Sequence, residues 1–547
     1  MYKEENTFTL NTDTRRLFQV IYHEQHKEER GEDEVPKIKV SELISKMSFY
    51  YEKIRNAVDY KEEYLLRKNA IARILKRQLV IEGAITAQVS KSRDIAKHLL
   101  IELIRAGYLP NNKLPETKID EVGEVVEKYI LLRKYSLDYS KKNSKTNGDL
   151  TKWIITMVAC DIEERLGRSK VEQVVISNLY DNLSKNIQLS EDSEYKEDRE
   201  IQIYIAIHRL FLRYDNDLMS FLLFKYYNSN WQDAGEDDIK KIGKNIDALY
   251  GAIQSQLNHP LAKQINKIVR RYAGFFSILT DVMAENPVEV YESIKTDPKA
   301  FPRNIKNICL KRYKQAKSKL WRAAVRSIIY IFVTKSVFAA ALEVPASKWF
   351  GDEVNPLALA INVSFPAALL FLAVLFTKLP SEANTNKIIE GINEVSFTEY
   401  ERKDPFMLQK PVKRSKWANA IFGLLYTVTF LISVYAVIWS LDKIGFHWVS
   451  ITIFLFFLAF VSFFTIRIRK NVRELIVIEP KENIITFFVD FFYVPIVSAG
   501  KWLSEKFSRI NVFVFILDFI IEAPFKIFVE IAEEWTKYVK ERKEEIV

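Results

Sequence analysis

Glycine and proline are scarce in this chain, 15 and 16 among 547 residues. That scarcity excludes a turn-rich β architecture and favours long uninterrupted helices. Only two cysteines are present, Cys160 and Cys309, which excludes a disulfide framework and fits a reducing compartment. The opening MYKEENTFTL lacks the apolar stretch of a cleavable signal, so none is expected. Catalytic signatures are missing as well. There is no HExxH and no ExxH, so neither a zincin nor a di-iron helix is indicated. No GxxxxGKS/T or GxGxxG offers a phosphate cradle, and no GxSxG offers a nucleophile elbow. The reading therefore leans away from an enzyme and expects no cofactor.

What is present is a mixture of charge and long apolar runs. The formal net charge is +10, with 80 Lys and Arg against 70 Asp and Glu. Residues 1–298 hold 46 basic and 47 acidic residues, and residues 327–547 hold 24 and 23. The stretch 299–326 holds ten Lys or Arg and no acid, so it equals the net charge of the whole protein. A nucleic-acid domain would carry its own basic face. A cluster ending where an apolar run begins reads instead as contact with anionic lipid head groups. Its contact residues are expected to be Arg303, Lys306, Lys311, Arg312, Lys314, Lys317, Lys319, Arg322 and Arg326. Nucleic acid is not expected as a partner. Ile305, Ile308, Cys309, Tyr313, Ala316 and Leu320 recur at three- and four-residue steps within it. That pattern predicts an amphipathic helix lying on the membrane surface.

Four runs suit a membrane crossing of about 20 residues. They are Ser327–Val344, Pro356–Thr377, Trp417–Leu441 and Phe446–Ile466. Trp321, Trp349, Trp417, Trp439 and Trp448 fall at their ends, as an interfacial belt requires. The loops Pro345–Asn355 and Asp442–Gly445 are poor in Lys and Arg. The 378–416 connection ends in PVKRSK, and Arg467, Arg469, Lys470 and Arg473 follow the last run. The charge rule then places the N-terminus and these basic segments in the cytosol.

Lys335 stands inside the first run, and an ionisable residue there is a functional-site hypothesis by default. The plainer alternative is structural pairing, with Asp490, Asp518 and Glu522 as candidate carboxylates. Beyond the four runs, Ile485–Gly500 is short for a span, and Asn511–Trp535 carries Asp518, Glu522, Lys526 and Glu530 along one stripe. Both are expected to lie in the interface or re-enter shallowly, because a mid-bilayer carboxylate costs about 2.5–3.5 kcal/mol. Arg473–Phe488 has the pattern of a small β-hairpin around Pro480 and Lys481.

The first 298 residues read as helix after helix. Predicted helices cover Val40–Tyr60, Leu65–Val80, Ser92–Ala106, Ile119–Tyr135, Trp153–Leu166, Val171–Ile187, Ile201–Tyr227, Ile239–Leu257 and Ala262–Met283. Residues 1–38 are charged and expected to be loosely held. Within that segment His23 and His26 supply two of the ligands a metal needs and no third. Asp161, Glu163 and Glu164 share one helix, where a solvated or salt-bridged face explains them better than paired acid–base chemistry.

The organisation expected is all-α. It comprises a loose segment 1–38, a cytosolic helical domain 39–298, a basic juxtamembrane helix 299–326, four transmembrane helices in 327–466, and amphipathic aromatic-rich helices with a charged tail in 467–547. The passages TMVACDIEERL, ending at Leu166, and LDFIIEAPFKIF, Leu517–Phe528, resemble uncharacterised polytopic helical membrane proteins of candidate-phyla bacteria. The resemblance implies a bacterial cytoplasmic membrane and brings no activity or ligand. The function expected is a membrane-anchored interaction or scaffold protein binding a protein partner through its helical domain, with self-association left open. The alternative is a transporter or channel component that uses Lys335 and the C-terminal carboxylates.

Overall fold

The computed structural model describes residues 10–26, 35–56, 63–78, 92–139, 144–167, 169–190, 194–297, 299–349, 355–397, 402, 404–411, 415–478, 484–509 and 522–546. The protein is all-α. The described residues contain two three-residue strands, Ile187–Leu189 and Phe406–Leu408, which pair in parallel. The chain divides into two units. One holds residues 1–18, 270–401 and 409–511, with the long apolar helices. The other holds 19–269, 402–408 and 512–547.

In the second unit one apolar core runs through the helices between Ile38 and Ile253. Most of the predicted helices are there with shifted ends. Two of them break. Ile201–Tyr227 is two helices, Asp198–Leu210 and Asn216–Tyr227. Between them Arg213 takes a left-handed backbone, φ 57°, and Asp215 caps the second helix through the Leu218 N–H. Ile239–Leu257 likewise splits into Glu236–Lys244 and Ile246–Leu257 at Asn245. The short strand at Phe406–Leu408 belongs to this unit although its chain neighbours belong to the other. Beside it, the Arg402 N–H donates to the buried Asn186 side chain at 2.8 Å.

The N-terminal segment is not loose where it is described. Thr12–Gln25 is a helix, and Leu10, Leu17, Phe18 and Ile21 are buried. The heavy charge of 1–38 conceals this apolar stripe at three- and four-residue spacing.

Among the described residues four helices are long and apolar enough to cross a membrane: Ala300–Ala346, Pro356–Leu375, Lys416–Lys443 and Trp448–Arg473. All belong to the first unit. Their exteriors are apolar. Only 11% of the apolar window of Lys416–Lys443 is buried in the protein. Trp349 and Trp417 are 88% and 81% exposed at helix ends. The helix ends sort into two sets. Asn355 donates to the Ile444 carbonyl at 3.3 Å, joining the two short loops. At the opposite ends Asn384 bonds the Tyr313 hydroxyl, the Leu475 carbonyl and the Val477 N–H at 2.8–3.0 Å.

Two expectations for the polar flanks change. The basic stretch does not lie apart from the first apolar run. Ala300–Phe338 is a single 39-residue helix that passes from one into the other. Its apolar face, Ile305, Ile308, Cys309, Tyr313, Ala316 and Leu320, is buried in protein and therefore not offered to lipid. The C-terminal aromatic run also differs. Ile484–Arg509 is a 26-residue helix packed lengthwise on Trp448–Ile468 and against Lys416–Lys443. Tyr493 donates to the Ser462 carbonyl at 3.4 Å, and Gly500 abuts Ala459 so closely that an added Cβ would sit 1.9 Å from its carbonyl oxygen. Residues further along one helix meet residues earlier on the other, so the two run antiparallel. Glycine permits this approach, as small residues do between membrane helices. The β-hairpin expected at Arg473–Phe488 is replaced by the start of this helix, while 479–483 lie outside the described residues. Tertiary context overrides local strand preference there.

Candidate functional site

The first apolar helix holds a buried ammonium. Lys335 is 0% exposed, and its Nζ makes no hydrogen bond to any described residue. It sits over the Phe457 ring, 4.6 Å from the centroid, a cation–π contact. Directly after it the helix widens into a π turn, Ala339–Glu343, a distortion often found at functional positions. That turn carries Glu343, which is also buried and whose carboxylate acts electrostatically on Lys335. Asn362 donates from Nδ2 to Glu343 Oε1 at 2.6 Å, and its own Oδ1 is buried with no hydrogen bond among the described residues.

Asn362 owes its position to the stripe Ala358, Asn362, Pro366 and Leu370, the buried face of Pro356–Leu375. Pro366 has no N–H, so the Asn362 main-chain carbonyl also lacks its helical donor. Cation, carboxylate and amide thus come from the first two apolar helices, with a ring from the fourth.

Of the carboxylates expected to partner Lys335, only the Asp490 side chain is among those described. Asp490 is exposed on Ile484–Arg509, Asp518 lies outside the described residues, and Glu522 opens a helix of the other unit, Glu522–Ile546. Glu343 closes the very run that contains Lys335, so sequence spacing brought the two within reach. Asn362 gave no signal, since an uncharged amide in an apolar run resembles any other interruption.

The basic helix divides along its length. Arg303, Lys306, Lys311 and Arg312 pair with Asp297, Glu382, Glu285 and Asp281. Lys314, Lys317, Lys319, Arg322 and Arg326 are exposed, with no acidic partner among the described residues. The apolar exterior begins beside them, at Val325 and Ile329. Four of the nine cations expected to meet lipid are therefore paired with acids, and five are exposed without one among the described residues.

The second unit buries its charges in pairs. Lys68 reaches Asp215 and Asp217 at 2.6 and 2.7 Å. Burial pulls the Lys68 ammonium down, but Asp215, Cys160 and Asp217 together hold it above the ordinary lysine value. Asp161 accepts from Trp231 Nε1 at 3.1 Å, Tyr129 at 3.3 Å and Arg165 at 2.9 Å. Burial, then the Asp161 charge, pushes the Tyr129 hydroxyl well up. Glu163 forms a two-pronged bond with Arg67, and Glu164 binds Lys225. Burial nonetheless raises the Glu163 carboxyl, with Arg67 opposing. These three acids are salt-bridged, as expected. Asp161 and Glu163 are buried rather than solvated. None has the unpaired, accessible geometry of a general base. His26 Nδ1 lies 2.8 Å from the Tyr22 carbonyl within its own helix. Among the described residues no group of three or more His, Cys, Asp or Glu is placed to hold a metal ion.

Beside this network lies a groove of about 660 Å³. Tyr180, Tyr204, Tyr226, Leu222, Lys225 and Trp231 line part of it. Tyr226 is exposed at its edge. Comparisons with protein-family models, with curated proteins and with solved structures find no match.

Proposed function

We propose that this chain is a multi-pass membrane protein that presents a helical interaction domain at the cytosolic face. The aromatic groove at Tyr180, Tyr204 and Tyr226 carries this reading, because tyrosines clustered in a concave, partly apolar surface are the usual anchors of protein recognition. The membrane half of the proposal rests on four apolar helices whose apolar windows are only 11–39% buried among the described residues. Arg467, Lys470 and Arg473 and the five exposed cations at 314–326 favour a cytosolic side at the ends gathered around Asn384. The two loops joined by Asn355 then face outward. Anionic lipid is the partner expected at Lys314, Lys317, Lys319, Arg322 and Arg326. The resemblance at Leu166 and Leu517–Phe528 favours a bacterial cytoplasmic membrane.

The test is site-specific photo-crosslinking in native membranes. A crosslinker at Tyr226 should capture one discrete protein, and Tyr180→Asp should abolish the adduct. A crosslinker at exposed Lys241 serves as control. If Tyr226 and Lys241 give the same pattern, the groove is not an interaction site.

A transporter or channel component is the second reading. One observation favours it: the Lys335 ammonium is buried among the apolar helices without a hydrogen bond to a described residue.

A further inference from the structure

We propose that Arg469 and Arg473, at the basic end of the fourth apolar helix, form a binding site for a phosphate group, carried by a lipid head group or by a small soluble anion. The site goes beyond the lipid contact proposed for the basic helix and depends on neither that contact nor the groove.

The charge inventory of residues 467–474, RIRKNVRE, carries the argument. Its one acid, Glu474, is paired with Lys470 at 3.5 Å. Arg469 is half-buried, and its Nε–H is covered by protein and meets no acceptor among the described residues. Its terminal nitrogens are not covered in that way, so the tip of the guanidinium reaches solvent. Arg473 is exposed and has no acid partner among the described residues. Its N–H donates to the Arg469 carbonyl at 3.1 Å, which sets the two side chains one helical turn apart on the same side. Val472, between them, is buried with Leu320 and Ala324, and this holds the turn in place. Arg473 acts on Arg469 as a like charge. The other group that acts on Arg469 is Tyr493, whose hydroxyl donates to the Ser462 carbonyl at 3.4 Å and is no counter-charge.

A guanidinium half removed from water without a counter-charge is costly, and a like charge one turn away adds to the cost. Arginine cannot escape by losing its proton, as a lysine can. An anion from outside offsets both costs at once. Phosphate fits the pair better than a carboxylate does. A guanidinium fork takes two oxygens, so one arginine fills a carboxylate, whereas a phosphate has oxygens left for the second. The five exposed cations of the basic helix lack this burial and attract lipid as separate surface charges. Binding at Arg469 should therefore saturate and should resist salt, because a partly buried charge is screened less than an exposed one.

The test is isothermal titration calorimetry of the full chain in dodecylmaltoside micelles at about 0.5 M NaCl, where exposed charges are largely screened. The probes are dioleoyl phosphatidic acid and inorganic phosphate, with dioleoylglycerol as the lipid that lacks the phosphate. A phosphate-bearing probe should saturate one site per chain. Its affinity should fall about tenfold or more in Arg469→Gln and in Arg473→Gln, the scale of a lost charge-assisted hydrogen bond. Lys470→Gln removes a cation that is already paired and should bind as the wild type does. Saturation by phosphatidic acid alone assigns the phosphate to a lipid head group, and saturation by inorganic phosphate as well assigns it to a soluble anion. Equal affinity in the wild type and Arg469→Gln would overturn the site. So would equal losses in Lys470→Gln and Arg469→Gln, binding of dioleoylglycerol as tight as that of phosphatidic acid, or no saturation by either phosphate probe. If Arg469→Gln fails to fold, the exposed position decides, and unchanged binding in Arg473→Gln refutes the proposal.

Discussion

Two lysines are buried to the same degree, one in each unit, and they are treated differently. Lys68 is 1% exposed and held by two carboxylates at 2.6 and 2.7 Å. Lys335 is 0% exposed, lies over a ring and makes no hydrogen bond to a described residue. A buried charge with tight partners locks helices together, and removing its partners is expensive. A buried charge without them contributes little to stability and persists for another reason. The contrast separates a structural ion pair from a candidate working group.

The largest effect should come from stripping Lys68 of its partners. Asp215→Asn/Asp217→Asn leaves an uncompensated ammonium in the core and should cost about 3–5 kcal/mol in denaturant unfolding of the full chain. A loss below about 1 kcal/mol, the scale of an exposed ion pair, would break the comparison. The pH dependence sharpens it. The Lys68 value in the folded state lies above the ordinary one, so its stabilisation is complete below about pH 10.4 and fades as pH rises through the folded value. Lys68→Met should lack that alkaline component when thermal unfolding is followed against pH.

Next in size is the contact between Ile484–Arg509 and the fourth apolar helix. Gly500→Ala drives a Cβ into the Ala459 carbonyl and should cost about 1–3 kcal/mol, as overpacking does. Detergent-resistant melting of the variant would show it. An unchanged melting point would mean that the helix does not pack there in solution.

Smaller effects are expected along the basic helix. Neutralising any one of Lys314, Lys317, Lys319, Arg322 or Arg326 should weaken retention of anionic lipid by about 1 kcal/mol. Neutralising Lys306, which is paired with Glu382, should leave lipid retention unchanged. Native mass spectrometry of co-purified lipid distinguishes the two groups, and equal losses would restore the reading with all nine contacts.

The smallest stability change is expected at Lys335 itself. Lys335→Leu should leave folding and abundance within about 1 kcal/mol, because no hydrogen bond or ion pair to a described residue is lost. A collapse in abundance comparable with the Asp215/Asp217 double variant would erase the distinction between the two lysines.

The candidate site was half legible in the chain. Lys335 announces itself, because a charge within an apolar run of that length is costly and calls for either a partner or a function. Its partner was sought in the C-terminal carboxylates, whereas Glu343 sat eight residues away. Glu343 lies in a π turn, and hydrophobic periodicity carries no mark of such a turn. Asn362 was invisible for a different reason. Its importance comes from two absences, the unmatched Oδ1 and the N–H that Pro366 lacks, and both acquire meaning only once helices are packed. The basic stretch was misread for a related cause. An apolar stripe suits lipid and protein equally well, and nothing in the spacing of Ile305, Tyr313 and Leu320 says which will cover it.

By itself the sequence determined the helical character, the four apolar runs, the tryptophans at their ends and the sorting of basic residues to one set of loops. These are local properties, set by backbone preference and by the cost of placing charge in an apolar medium. Tertiary structure alone decided which faces meet. It joined the basic stretch to the first apolar run as one helix, laid Ile484–Arg509 against the fourth, and brought Phe406–Leu408 back to pair with Ile187–Leu189. It also gave Lys68 its carboxylates and set Lys335 over a ring. Such choices depend on contacts between residues tens to hundreds of positions apart, where packing and desolvation outweigh any preference a single segment carries.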